Sequence, residues 1–279
     1  MLVRILTGIC LLLAALPILY WSDTFLLVLA VSLLSLGAVF EMLRCLGVHK
    51  NFALSLPSYA VALAVPATTR LISNVSFDGL ILFALVYVYG LYVLANAMFS
   101  KGKIPFSTAA RVFLSTAYIV CGFSCLIATR DLPNHGLFFL VMVVVVAFAT
   151  DIFAYFSGML FGRHKLIPEV SPKKTVEGAI GGTLISAAAF VGCGILYARW
   201  FDVSRPHLLS LFLCGVAISA VAQIGDLIAS FIKRECGVKD YGKIFPGHGG
   251  IMDRFDSVIA VAPILYLLLA NPSMLSIFR

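Results

Sequence analysis

Three carboxylates set the chemical problem in this 279-residue chain. Asp226 lies in the run AQIGDLIASFIKR, and Asp253 and Asp256 open another, DRFDSVIAVAPILYLLLA. Spaced by three, Asp253 and Asp256 share one face of a helix. If the first run descends to a membrane surface and the second begins there, all three acids meet at one depth. Carboxylates converging in a low-dielectric site repel one another and stay ionised together only with a cation between them. Oxygen-only ligands suit Mg²⁺. Capping of a helix N-terminus would account for one of the pair, but not for Asp226. A fourth acid, Asp151, follows VMVVVVAFAT at a depth on the order of 15 Å inside an apolar run. An ionised group there costs several kcal/mol unless it faces a polar interior. The structural alternative is a protonated Asp151 hydrogen-bonded to a neighbouring helix.

Cations surround these acids. The stretch Ser230–Asp256 holds five of the 20 Lys/Arg residues: Lys233, Arg234, Lys239, Lys243 and Arg254. Gly247, Gly249 and Gly250 let backbone N–H groups approach a phosphate closely, and the helix beginning near Asp253 adds its positive dipole end. His248 would donate to a phosphate oxygen, or serve only as a turn residue. Asp240 would orient Lys239 or a ligand group. The whole reads as a triphosphate site. A second polar piece, SPKKTVEG, sets Pro172, Lys173, Lys174 and Thr175 before a new helix, with Glu177 in its first turn. It would hold a second phosphate, or act only as a topology anchor with Ser171 or Thr175 as N-cap; both readings stand at this level.

The elements that must position these residues are membrane helices. The chain is 61% hydrophobic and 12% charged, with mean hydropathy +1.05, whereas soluble domains are about 25% charged. Apolar runs of bilayer length, about 20 residues, are drawn over 2–20, 24–40, 52–69, 79–99, 112–129, 136–161, 176–198, 208–232 and 254–270. The third and ninth are the least regular, because Pro57, Pro66, Pro263 and Pro272 interrupt or end them. The first is expected to be retained rather than cleaved as a signal, since no small-residue cleavage site follows it and more spans do. The expectation is an all-α polytopic protein forming one integral-membrane domain over 1–279. In it 1–130 supplies packing, lipid and subunit contacts, and 136–270 the chemistry.

Charge orients the spans. The N-terminal Arg4 and the loops after even-numbered spans carry 15 cations, among them Arg44, Lys50, Lys101, Lys103 and Arg111. The other side carries five: Arg70, Arg130, Arg199, Arg205 and Arg279. By the positive-inside rule the N-terminus and the Ser230–Asp256 cluster are cytoplasmic. Arg44, Lys50, Lys101 and Lys103 read as topology signals only. The seven cysteines contain no CxxC pair and read as buried hydrophobes.

The polar cluster resembles the signature of the phosphatidate cytidylyltransferase (CDP-diacylglycerol synthase) family. That pattern runs Ser, Lys-Arg, Lys-Asp, a small residue, Pro-x-His-Gly-Gly and Asp-Arg-x-Asp. Here it is met by Ser230, Lys233, Arg234, Lys239, Asp240, Gly242, Pro246, His248, Gly249, Gly250, Asp253, Arg254 and Asp256. The pieces TDIFAYFSGMLFGRHKL and SPKKTVEGAIGG are also similar to that family, which extends the likeness over about residues 136–270. The resemblance implies CTP and phosphatidate as substrates, CDP-diacylglycerol and pyrophosphate as products, and no nucleic acid polymer as partner. It further implies a bacterial inner-membrane setting, a homodimer, and one or two Mg²⁺ ions with an accompanying monovalent ion allowed. On that footing Asp226 and Asp253 hold metal, with Asp256 and Asp151 as further ligands or supports. Lys233, Arg234, Lys239 and Arg254 neutralise the triphosphate, Gly249 and Gly250 contact it, and Lys173 and Lys174 meet the lipid phosphate. Rival expectations are a CTP-dependent polyprenol kinase, a cytidylyltransferase for another lipid, and, more remotely, an anion transporter. Transporters favour midplane sites between inverted repeats, and no such repeat is visible here.

Overall fold

The computed structural model describes residues 2–72, 78–270 and 277–278. Among them are nine α-helices: α1 (Leu2–Tyr20), α2 (Phe25–Cys45), α3 (Phe52–Ile72), α4 (Asp78–Phe99), α5 (Phe106–Arg130), α6 (Gly136–Phe161), α7 (Val176–Trp200), α8 (Leu208–Glu235) and α9 (Met252–Ala270). Seven of these, α2 to α8, are long and apolar enough to cross a membrane. The shorter apolar run Thr7–Tyr20 belongs to α1, and α9 opens with three charged residues. The protein is thus an all-α, polytopic membrane protein. Pro272 and Arg279 lie outside the described residues.

Three expectations change. Helix α5 begins at Phe106, behind an extended Pro105 (φ −63°, ψ 148°), so Arg111 is helical rather than a loop cation. Helix α2 runs on to Cys45 and carries Glu41 and Arg44 on its last turns. The second polar loop is an antiparallel hairpin of β1 (Lys165–Ile167) and β2 (Ser171–Thr175). Alternation in SPKKT is too short to announce a strand. Prolines, by contrast, do not break α3 or α9. Pro57 has no N–H for the carbonyl of Ala53, and the Tyr92 hydroxyl donates to that carbonyl instead (3.1 Å), the re-satisfaction a membrane helix requires.

Two compact units divide the chain. The first comprises 1–131 and 235–255. In it α2, α3, α4 and α5 pack on one another. At one end Arg70 donates to both Asp131 oxygens (2.8 and 2.5 Å) and to the carbonyls of Ser22 and Thr24. Arg130 donates to the Ser22 hydroxyl (2.7 Å), so the α1–α2 turn and the ends of α3 and α5 come together. At the other end are Thr7, which donates to the Pro246 carbonyl (3.1 Å), the end of α2, and the loop before α9.

The second unit comprises 132–234 and 256–279. Its α6 and α7 approach closely because small residues face each other. A Cβ on Gly178 would meet the Ala154 carbonyl at 2.7 Å, and one on Gly182 would meet Ala154 at 2.8 Å. Polar ties hold α8 in register: Thr150 with Ser219 (2.8 Å), and Gln223 donating to the Ala179 carbonyl and the Thr183 hydroxyl (3.1 and 2.8 Å). Helix α9 continues against α8, where Gly225 leaves room for Ala260 and Ser257.

Candidate active site

In the first unit the loop between α8 and α9 is shaped by side chains that bind its backbone. Asp253 accepts through Oδ2 from the N–H groups of Tyr241 (2.8 Å) and Gly250 (3.0 Å). Tyr241 itself is buried, and its carbonyl accepts from Arg44 Nη2 (2.6 Å). The N–H of Met252 donates to Glu41 Oε2 (2.9 Å). Between these anchors Phe245 N–H donates to the Gly249 carbonyl and His248 N–H to the Phe245 carbonyl, both at 2.9 Å. Gly247 and Gly249 take φ of 76° and 86°, a region that L side chains rarely adopt.

This loop lines a cavity of about 690 Å³ whose walls include Lys239, Lys243, His248 and Arg254 with Gly247 and Gly249. The size falls in the range of small-molecule sites, roughly 300–1,000 Å³. Two wall atoms, His248 Nδ1 and Arg254 Nε, are buried with no hydrogen-bond partner among the described residues. Cations, left-handed glycines and unsatisfied ring and guanidine nitrogens make an anion the matching ligand. Asp240 is also in the wall.

The second unit holds the other polar residues. Strand β2 presents Lys174, which forms an ion pair with Asp226 of α8, each side chain about a quarter exposed (23% and 24%). Lys173 is exposed beside it. Asp256 is buried (6% exposed) and accepts from the Ser257 N–H through Oδ1 (2.7 Å). Asp226 and Asp151 both lie close enough to repel its charge, and Lys233 offsets them. Arg234 donates from Nε to the Val170 carbonyl (3.4 Å), tying the end of α8 to the hairpin. Thr175 is the N-cap of α7, accepting from Gly178 N–H (3.1 Å). Glu177 accepts from the N–H groups of Arg163 and His164 and pairs with His164 Nδ1 (2.6 Å).

Asp226, Asp256, Asp151, Lys174 and Lys233 are therefore neighbours, while Asp253 is engaged with loop N–H groups. Among the described residues no three His, Cys, Asp or Glu side chains are gathered tightly enough to enclose a metal ion. The donor set nevertheless fits Mg²⁺, which commonly takes one or two carboxylates and completes its shell with substrate phosphates and water. Asp226 and Asp256 would be the hard oxygen donors to offer it, once Lys174 gives up its pairing with Asp226.

Two contributors escaped the sequence. Glu41 and Arg44 lie in a half of the chain that reads as packing only, and Arg44 reads as a topology signal. Glu41 is an ionisable residue just beyond the expected end of the second span, and that position was the available hint.

Nine helices among the described residues, seven of them bilayer-long, make the class a polytopic membrane protein, and its cation-lined cavity suits an anionic ligand. The chain belongs to the cytidylyltransferase family, whose profile matches residues 2–271, and is a nucleotidyltransferase. It is 38% identical over 273 residues to the phosphatidate cytidylyltransferase of Staphylococcus haemolyticus, covering 96% of this chain and 98% of that protein. The Bacillus subtilis protein of the same name is 36% identical over 272 residues, covering 96% and 97%. The Staphylococcus aureus protein is 41% identical over 177 residues, 63% of this chain and 65% of its own.

Proposed function

We propose that this protein transfers the cytidylyl group of CTP to phosphatidate, releasing CDP-diacylglycerol and pyrophosphate, at the cytoplasmic face of a bacterial inner membrane. The observation that carries this reading is the 690 Å³ cavity walled by Lys239, Lys243, His248 and Arg254, in a chain whose full-length relatives bear that name. The lipid phosphate oxygen attacks the α-phosphorus in line, and the bond to the β,γ-pyrophosphate breaks. A phosphomonoester has its second pKa near 6, so the nucleophile is already ionised near neutral pH and needs no strong side-chain base. The barrier is electrostatic, because two polyanions must meet. Lys239, Lys243 and Arg254 offset the triphosphate; Lys173 and Lys174 receive the lipid phosphate. Asp226 and Asp256 would hold Mg²⁺, which when bound neutralises phosphate oxygens and the leaving group. Asp253 keeps the loop in shape and is the further acidic candidate.

Supplying CTP labelled on either the α or the γ phosphate, with phosphatidate and Mg²⁺, tests the reading. The α label is expected in the lipid fraction. Lipid carrying only the γ label would make the protein a kinase, and no labelled lipid at all would remove the transferase reading. The expected homodimer is checked by light scattering of the detergent-solubilised protein.

A further inference from the structure

We propose that Glu41 is a positioning residue for nucleotide binding, acting with Arg44 through the loop that walls the cavity. Neither side chain lines the cavity. Spaced by three, they share one face of α2 and grip that loop at two points. Glu41 Oε2 accepts from Met252 N–H (2.9 Å), immediately before Asp253, and Arg44 Nη2 donates to the Tyr241 carbonyl (2.6 Å). Both contacts connect residues about 200 positions apart.

The carboxylate has a cost that packing alone does not repay. Glu41 is 1% exposed, and its Oε1 has no hydrogen-bond partner among the described residues. A buried, half-satisfied carboxylate destabilises a fold relative to an apolar residue of the same size. The surrounding sequence accommodates it all the same. Gly242 and Gly250 lie against the carboxylate, and a Cβ on either would collide with it. The small residue Gly242, two places after Asp240, is thereby explained: the space is needed for Glu41. Gly250 also donates to Asp253, so one short segment carries the anchors from α2 and α9 and then forms the wall with Lys239, His248 and Arg254. Where those cations stand depends on Glu41.

The inference rests on the reading of the cavity as the CTP site, and its test separates the two. Full-length protein in detergent is compared with Glu41→Gln, Glu41→Asp and Arg44→Met. Two measurements are made: KM for each substrate, and amide hydrogen exchange of residues 240–252 without substrate. Glu41→Asp keeps the charge but falls one methylene short of Met252. It is expected to raise KM for CTP about tenfold or more, the effect of one lost buried hydrogen bond, with KM for phosphatidate unaltered and exchange faster at 240–252. Arg44→Met should give the same selective pattern. Glu41→Gln, whose amide oxygen still reaches Met252, should recover most of the affinity. Equal effects on both substrates, or unaltered KM for CTP and unaltered exchange in Glu41→Asp and Arg44→Met, would overturn the proposal. If the wild-type protein transfers no cytidylyl label, the functional reading fails, while the exchange data still decide whether Glu41 holds the loop.

Discussion

Lys174 of β2 is paired with Asp226 of α8, so the cation assigned to the lipid phosphate and a carboxylate assigned to metal are in direct contact. Each offsets the other's charge while Asp256 and Asp151 stand nearby. A phosphate arriving at Lys174 would loosen this pair and release Asp226 for a cation. Asp226→Asn should lower α-label transfer on the order of a hundredfold or more, the scale for losing one electrostatic stabiliser of a transition state. Raising Mg²⁺ should not restore it. Combined with Lys174→Met, the losses should fall short of the sum of the single effects, since contacting residues are not additive. Additive losses would separate the two roles.

Asp253 allows its two duties to be told apart. Asparagine keeps an oxygen able to accept from Tyr241 and Gly250 but removes the charge. Asp253→Asn is expected to retain wild-type hydrogen exchange over 240–250 and to lose turnover; Asp253→Ala should lose both. An active Asp253→Asn would reduce this residue to a loop brace.

Gly249 is held at φ 86°, and a Cβ there would lie 2.9 Å from Asp253 Oδ2. Gly249→Ala therefore carries about 1–2 kcal/mol of left-handed strain in addition to a collision with the brace. KM for CTP should rise more than tenfold at little cost in thermal unfolding temperature, because the strain can be relieved by local movement of the turn. A normal KM would mean the turn does not contact the nucleotide.

Glu177 collects the N–H groups of Arg163 and His164 and the His164 ring, and so fixes where β1 begins. In Glu177→Ala the hairpin should open more often. Trypsin cleavage at Arg163 and Lys165 is expected to accelerate and KM for phosphatidate to rise several-fold, about the net value of one ordinary hydrogen bond, with KM for CTP unmoved.

Lys101 supplies the control. It is exposed, outside both polar clusters, and touches neither cavity nor acids. Lys101→Ala should leave transfer within about twofold, as surface substitutions do. A larger loss would show that exposed charge outside the two polar clusters also matters for transfer.

Much of the architecture was legible because hydrocarbon imposes a length and forbids unpaired backbone. Hydropathy alone places spans 136–161 and 52–69 within a few residues of α6 and α3. The errors have local causes. Arg111 and Arg44 look like the edge of a span, yet helices continue past charged residues that can reach an interface or a partner. The hairpin of β1 and β2 has no signature in the sequence, because three and five residues give no periodicity.

By itself the sequence determined an all-α membrane protein and the polar segments in which its chemistry lies, since both follow from composition and from residue types close in the chain. Tertiary structure alone decided that Glu41 and Arg44 grip the 241–252 backbone, that Lys174 meets Asp226, and that Asp253 is turned to loop N–H groups. The reason is range. Hydropathy and motif spacing act over a few residues, whereas a hydrogen bond between positions 41 and 252 depends on how helices far apart in the chain are packed.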